Sequence, residues 1–321
     1  MARVLGICHD CLQRILVKSG IMLFLFPKLT VSIAKFFSKQ KSGWLIVDDT
    51  LLLKPFIKFL AGVYTIYNTV MGRTDRGLCL VVVAWSNGQV TIPLMFKFHY
   101  HRDIVGASYE KKAAIAERMV LKIKAQRIIK FRYVLFDAHY STIPMLNALQ
   151  KMRIKFIAKI TRTRKIRTKN GEYEQLQHHS KLKLIRNYRS RRVRAEFGGL
   201  SLFFSSHKRK KRNGEYAYTY IVSNMRLTAK DYLAIYEDRW AIEEMFRTIK
   251  QYLGLSHCQS VELERQSAHI YMIFIAYSFL EKEKVKHGFK NPETSLKHLQ
   301  KMKLDNAMDC LTSFSKIFDC V

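Results

Sequence analysis

Two short apolar runs end in carboxylates, WLIVDD at 44–49 and RYVLFD at 132–137. Uninterrupted runs of this kind predict strands buried on both faces, where neither side needs polar residues. Apolar stretches at 62–71, 78–85 and 90–98 predict further strands, and Ser86-Asn87-Gly88 carries the Asn-Gly signal of a tight hairpin. Helical composition over 109–128 and 142–152 flanks the second acidic strand. A strand at 155–160, a basic loop to about 192, a hairpin over 193–204, a basic KRKKRNG loop and a strand at 218–223 follow.

Beyond 227 the apolar period changes to that of a helix. Ile235, Ile242, Met245, Phe246, Ile249 and Leu253 fall on one arc, Thr228 with Asp231 reads as an N-terminal cap, and Gly254 reads as a stop. The opposite side of this one expected helix carries Tyr236, Arg239, Glu243 and Lys250, spaced Y-x2-R-x3-E-x6-K. At 100° per residue they fall near ~0°, ~300°, ~340° and ~320°, with Arg247 near ~20°. One narrow stripe therefore sets a carboxylate among phosphate-binding side chains. The competing reading is a solvated helix with an Arg239–Glu243 ion pair worth about 0.3–0.5 kcal/mol. A last apolar helix is expected over about 265–283, then a weaker helical tail.

Charge adds a partner. The 321 residues hold 56 Lys and Arg against 25 Asp and Glu, a formal net charge of +31, and residues 151–213 alone hold 21 Lys and Arg against 3 Glu. Such a concentration, interleaved with aromatics, attracts nucleic acid. The cluster Lys208, Arg209, Lys210, Lys211 and Arg212 is its densest part. Six cysteines form no secreted framework, so a reduced, cytosolic chain is expected; Cys8-x2-Cys11 lacks a second ligand pair at zinc-finger spacing. The apolar runs at 21–26 and 269–280 fall short of the roughly 20 residues a membrane span needs.

Carboxylates at the ends of two inner strands and on a later helix suit a site for two divalent cations, which take oxygen ligands and serve phosphodiester chemistry. Asp48, Asp137 and Glu243 fill those places. Asp49 competes with Asp48, but adjacent strand residues point to opposite faces, so one of the two reaches the cations; Asp48, which directly ends the apolar run, is preferred.

These motifs, WLIVDDT, YVLFDAHY and YEDRWAIEEMFRTIK, resemble the DDE transposases of bacterial insertion sequences that carry the Y-x2-R-x3-E-x6-K signature, over roughly residues 44–283. The resemblance implies an α/β fold, a ribonuclease H-like mixed sheet flanked by helices with a β-rich insertion before the last catalytic helix. It divides the chain into a short basic N-terminal arm or remnant DNA-binding region (1–43), a first part of the catalytic core (44–160), the basic insertion (161–226), a second core part with the signature helix (227–285) and a helical tail (286–321). Asp48, Asp137 and Glu243 would hold two Mg²⁺ ions, or Mn²⁺, while Tyr236, Arg239, Lys250 and Arg247 hold DNA phosphates with the help of the insertion. The implied activity is cutting at element ends and transfer of the 3′-hydroxyl to target DNA, by a homodimer in the synaptic complex, in the bacterial cytoplasm at the nucleoid. A nuclease of the same fold without strand transfer and a catalytically silent DNA-binding descendant are the alternatives. Relatives usually place a larger end-recognition domain before the first catalytic strand than the 43 residues here.

Four other residues carry weaker expectations. Trp240 reads as a half-buried packing residue before a base-stacking one, His139 as solvent-facing or structural, and Lys54 and Arg73 as possible groove residues.

Overall fold

The computed structural model describes residues 21–55, 60, 62–68, 72–168, 171–184, 190–210 and 213–301. Cys8, Cys11, Cys310, Cys320, Lys211 and Arg212 lie outside the described residues, as do 1–20 of the expected arm and 302–321 of the expected tail. The chain forms two compact units. One comprises Ala34–Pro55 and Gly62–Met245; the other gathers Met1–Ile33, Phe56–Ala61 and Phe246–Val321.

The larger unit is mixed α/β and is built on one sheet of eleven strands. These are β1 (Gly43–Leu53), β2 (Tyr64–Asn68), β3 (Arg73–Ser86), β4 (Thr91–His99), β5 (Phe131–Phe136), β6 (Phe156–Ile160), β7 (Lys165–Arg167), β8 (Tyr173–Gln175), β9 (Ser190–Phe197), β10 (Leu200–Lys210) and β11 (Tyr216–Ser223). Their order is β2-β3-β1-β5-β6-β11-β10-β9-β7-β8, with β4 also paired to β3. Strand β1 runs antiparallel to β3 and parallel to β5, which is parallel to β6; β11 then turns the direction by pairing antiparallel to β6.

The uninterrupted apolar runs become central strands, as their pattern predicts. Leu45, Ile46 and Val47 of β1 and Val134, Leu135 and Phe136 of β5 are fully buried. Helix α1 (Ile21–Gln40) comes before β1 in the chain; helix α2 (Lys112–Ala125) packs against β3 and β4 and buries Ile115, Ala116, Val120 and Ile123, and helix α3 (Ile143–Lys151) packs against α2 and buries Met145, Leu146 and Leu149. At Gly43 the backbone comes so close to Trp85 that an added Cβ would lie 2.4 Å from its ring, so only glycine starts β1.

The insertion continues this same sheet. Its segment 161–192, expected as loop, contains β7, β8 and the start of β9, and the KRKKRNG loop is shorter than expected because β10 extends through Lys208, Arg209 and Lys210, paired with Tyr218, Ala217 and Tyr216. The hairpin between β9 and β10 turns on Gly198 and Gly199, with φ of +58° and +81°, where the double positive φ of its tight turn suits glycine.

The expected single signature helix is two helices, α4 (Ala229–Glu237) and α5 (Trp240–Gln251). Thr228 and Asp231 form the expected reciprocal cap of α4. At the joint, Asp238 N and Arg239 N bond back to Ile235 O and Tyr236 O, a tighter spacing than the helix ladder. The Asp238 carboxylate accepts a hydrogen bond from Tyr133 and faces the charges of Arg132 and Lys41, so a tertiary anchor accompanies the break. The division between the two units falls inside α5.

In the smaller unit, helix α6 (Leu263–His287) buries Ile270, Ile273, Phe274, Tyr277 and Leu280, and helix α7 (Pro292–Lys301) contributes Glu293, bonded by the Thr248 hydroxyl. Gly254, at φ +69°, adopts the left-handed conformation expected of a stop just beyond α5. Among the described residues no helix is long and apolar enough to cross a membrane.

Candidate active site

Parallel pairing of Val47 with Phe136 brings the next residues side by side: Asp137 lies just past the end of β5, whereas Asp48 sits inside β1, paired with Val82 of β3, and does not end its strand as the apolar run suggested. Asp137 caps the one-turn helix Ala138–Tyr140, its Oδ1 accepting from Ala138 N at 2.7 Å. Asp48 Oδ1 accepts from Asp49 N at 2.9 Å. The joint between α4 and α5 then brings in the signature residues. Tyr236 donates from its hydroxyl to Asp137 Oδ1 at 3.4 Å, and Arg239 donates from Nη1 to Asp48 Oδ2 at 2.7 Å. The other terminal nitrogen of Arg239 bonds Glu243 Oε1. One guanidinium thus ties together two carboxylates that lie far apart in sequence.

The ion pair of the competing reading is present, but its extension to Asp48 makes it more than a solvated i, i+4 pair. The Arg239 side chain is only 14% exposed, which places these charges where water screens them weakly. Burial pushes the Asp48 carboxyl up to about 7, against the opposing pull of Arg239, and the nearby charges of Asp49 and Asp137 add to the rise. Burial lowers the Arg239 pKa, but the attraction of Tyr236, Asp48 and Glu243 outweighs it and holds the guanidinium more firmly charged than usual. Burial also raises the Tyr236 hydroxyl, so it stays a proton donor at neutral pH.

Asp49 faces the other way, as strand alternation requires. Its Oδ2 takes Lys112 Nζ at 2.6 Å and the Cys79 thiol at 3.6 Å, and its Oδ1 takes the Tyr140 hydroxyl at 2.8 Å. Burial pushes the Asp49 carboxyl up, yet Lys112 and these hydrogen bonds outweigh it and leave it below the usual range. Lys112, Tyr140 and Cys79 escaped the sequence reading, although Tyr140 stands inside YVLFDAHY; a tyrosine three residues past a strand-ending aspartate was the available signal.

Residues 94–279, more than half of the chain, match the family model of the transposase DDE domain. The chain belongs to that family. It is therefore a transposase by descent, an enzyme of DNA recombination with DNA as its partner. The match spans Asp137 and the whole signature of this DDE transposase but starts after β1, so Asp48 joins the group through its contacts alone. No curated protein matches the chain.

The remaining candidates of the transposase are dispersed. Arg247 is exposed and Lys250 half-buried on the part of α5 that belongs to the smaller unit. Lys208 is half-buried with Nζ 4.1 Å above the Tyr216 ring, and Arg209 and Lys210 are exposed. Arg192 and Arg194 lie over the Phe203 ring, while Tyr173, Tyr216 and Tyr218 are exposed, so the insertion strands present cations among aromatic faces. Trp240 is 52% exposed beside Arg239, contrary to the packing role expected of it. His139 is exposed and edge-on to Tyr140, Arg73 is an exposed partner of Asp75, and Lys54 is buried at the end of β1 rather than facing a groove.

Among the described residues no three His, Cys, Asp or Glu side chains stand together as a ready metal cage. Arg239 itself bridges Asp48 and Glu243 here. The donor chemistry nevertheless fits a hard divalent cation: the converging groups are carboxylates, and the cluster already recruits a positive charge.

Proposed function

We propose that this chain cuts the ends of an insertion sequence and joins their 3′-hydroxyl to target DNA, as a DDE transposase of the Y-x2-R-x3-E-x6-K group with a ribonuclease H-like core. The observation that carries this reading is the Arg239 bridge between Asp48 and Glu243, beside the Tyr236–Asp137 bond. Together these contacts tie five residues, Asp48, Asp137, Tyr236, Arg239 and Glu243, from three distant segments beside the paired strands β1 and β5. The strand order β4-β3-β1-β5-β6, antiparallel then parallel about β1, supports the ribonuclease H-like assignment.

In this reading Asp48, Asp137 and Glu243 hold the divalent cations, Mg²⁺ or Mn²⁺. When bound, two such ions supply charge stabilisation to the entering and leaving oxygens of phosphodiester displacement. The protein's own groups provide the rest. Arg239 releases its carboxylates and turns its planar fork to a DNA phosphate, a ligand it matches with two parallel bonds. Tyr236, kept protonated by burial, donates a hydrogen bond from beside Asp137. Lys250 and Arg247 bind backbone phosphate farther along α5, and Lys208, Arg209, Lys210, Lys211 and Arg212 hold flanking duplex from the insertion. Trp240, exposed next to Arg239, offers a stacking face to an unpaired base. Two copies bring two ends together, at the nucleoid where the DNA lies.

Asp137→Ala and Glu243→Ala test the assignment. Both are expected to abolish Mg²⁺-dependent cleavage of end DNA while the complex with that DNA still forms. Cleavage surviving in either variant removes that residue from the site; cleavage by the parent without joining of precut ends reduces the protein to a nuclease.

A further inference from the structure

The second carboxylate of the Asp48-Asp49 pair is spent on the far face of β1, and what it touches leads back to the site. Tyr140 is fully buried, and its hydroxyl bonds Asp49 Oδ1 at 2.8 Å. Tyr140 also closes the one-turn helix that Asp137 opens: its backbone N–H bonds Asp137 O at 3.0 Å, while Asp137 Oδ1 caps Ala138 N. On the β1 side, Asp49 N bonds Asp48 Oδ1. Lys112, at the first turn of α2, neutralises Asp49 at 2.6 Å and fixes its remaining oxygen. A continuous path of short bonds thus runs from Asp48 through Asp49 and Tyr140 to Asp137.

We propose that Asp49, Tyr140 and Lys112 are positioning residues that set the separation and orientation of Asp48 and Asp137 from the far face of β1. The proposal rests on the reading of Asp48 and Asp137 as cation-holding residues. Two cations need both carboxylates held at one spacing, and this path ties the one-turn helix after β5 to β1. Lys112 has a further part. It balances the charge of Asp49, so the acidic face of β1 holds its own charge without an unscreened neighbour across the strand. A network serving the fold alone would also be buried and satisfied, and the two roles differ in what they do to metal affinity.

The test uses the full chain and Mn²⁺ alone as probe. Tyr140→Phe removes one hydroxyl, and Asp49→Asn keeps an acceptor for Tyr140 while losing the charge that Lys112 pairs with. Mn²⁺ affinity by calorimetry, the Mn²⁺ requirement for cleavage of end DNA, metal-free DNA affinity and the thermal midpoint are measured for each. Loss of such supporting bonds typically lowers metal affinity about 10–100-fold. The expected result is a fall of at least about tenfold for Tyr140→Phe, with the Mn²⁺ concentration for half-maximal cleavage rising in step, the rate recovering at saturating Mn²⁺, and DNA affinity unchanged. Mn²⁺ affinity within twofold of the parent in a folded Tyr140→Phe overturns the proposal, whatever the thermal midpoint does. If that variant does not fold, Asp49→Asn decides by the same criterion, and failure of both to fold assigns the network to folding and overturns it too. Asp137→Ala run alongside separates the two readings: parent-like Mn²⁺ binding and cleavage there sinks the cation site itself, whereas its loss beside an unaffected Tyr140→Phe sinks only the positioning role.

Discussion

The two halves of the sheet solve opposite problems with the same backbone ladder. In β1, β3 and β5 nearly every inner position is buried, from Gly77 to Ser86 without interruption in β3, and the two adjacent carboxylates of β1 each meet a cation: Asp48 meets Arg239, which it shares with Glu243, and Asp49 meets Lys112. In β9, β10 and β11 burial alternates or fades along the strands, and the cations there exceed the acids. A charge removed from water must be matched by a partner, whereas a charge left half-exposed needs none and remains available to a ligand. Under the proposed function, the first half carries the chemistry and the second holds DNA.

The largest effect that would sharpen this division lies at Arg239. Arg239→Ala is expected to lower end processing by on the order of 100-fold or more, the scale seen when one fixed donor leaves a reaction centre. Arg239→Lys should restore only part of it, because an ammonium lacks the planar fork. Unlike an exposed arginine, it should also lower the thermal midpoint when removed, since Asp48 and Glu243 are left without their partner. Normal end processing by Arg239→Ala would return the helix to a surface ion pair.

A smaller effect is expected at the cationic half. Replacing Lys208, Arg209 and Lys210 with Gln should flatten the plot of log affinity against log salt by up to about 0.9 for each duplex phosphate that is no longer neutralised. Cleavage at saturating DNA should hardly change. An unaltered slope would detach this half of the sheet from DNA.

The smallest expected effect is in stability, and its sign differs between two buried groups, Asp48 of the first half and His207 of the second. Burial raises Asp48 to about 7, so between its ordinary value of 3.8 and 7 the folded chain keeps a proton that the unfolded chain releases, and Asp48 costs stability as pH rises through that window. Burial lowers His207 in β10 from 6.5 to about 4, so the unfolded chain alone takes up a proton between those values, and stability is lost as pH falls through them. Thermal midpoints from pH 4 to 8 without divalent cations should therefore rise in Asp48→Asn at the alkaline end and in His207→Gln at the acid end, each by a few degrees for every ~1 kcal/mol released. The same sign for both would erase the distinction.

Much of this was legible in the residues, for reasons that also mark where legibility ended. WLIVDD and RYVLFD announced their strands because burial on two faces leaves a local mark, and Thr228 with Asp231 announced a cap because capping is local too. The break at Asp238 left none: Asp238, Arg239 and Trp240 are all tolerated in helices, and the side-chain anchors on Asp238 come from Tyr133, Arg132 and Lys41, remote in sequence. Arg239 showed its i, i+4 partner but not Asp48. The cations at 208–210 read as part of a basic loop, while the pairing that extends β10 depends on Tyr216 and Tyr218 beyond it. Strand alternation separated Asp48 from Asp49, yet what each would meet was a property of distant segments: the joint between α4 and α5 for Asp48, and α2 with the one-turn helix Ala138–Tyr140 for Asp49.

The bond between Asp48 and Arg239 spans 191 residues of chain. During synthesis at about 5–20 residues per second, roughly 10–40 s pass between the emergence of its two ends. Strands β9 and β10, ending at Lys210, are made before Arg239. A growing polypeptide therefore carries the residues of its cationic strands before those of its carboxylate bridge, and under the proposed function any chain ended short of Arg239 has the surface that holds a polyanion without the centre that acts on it.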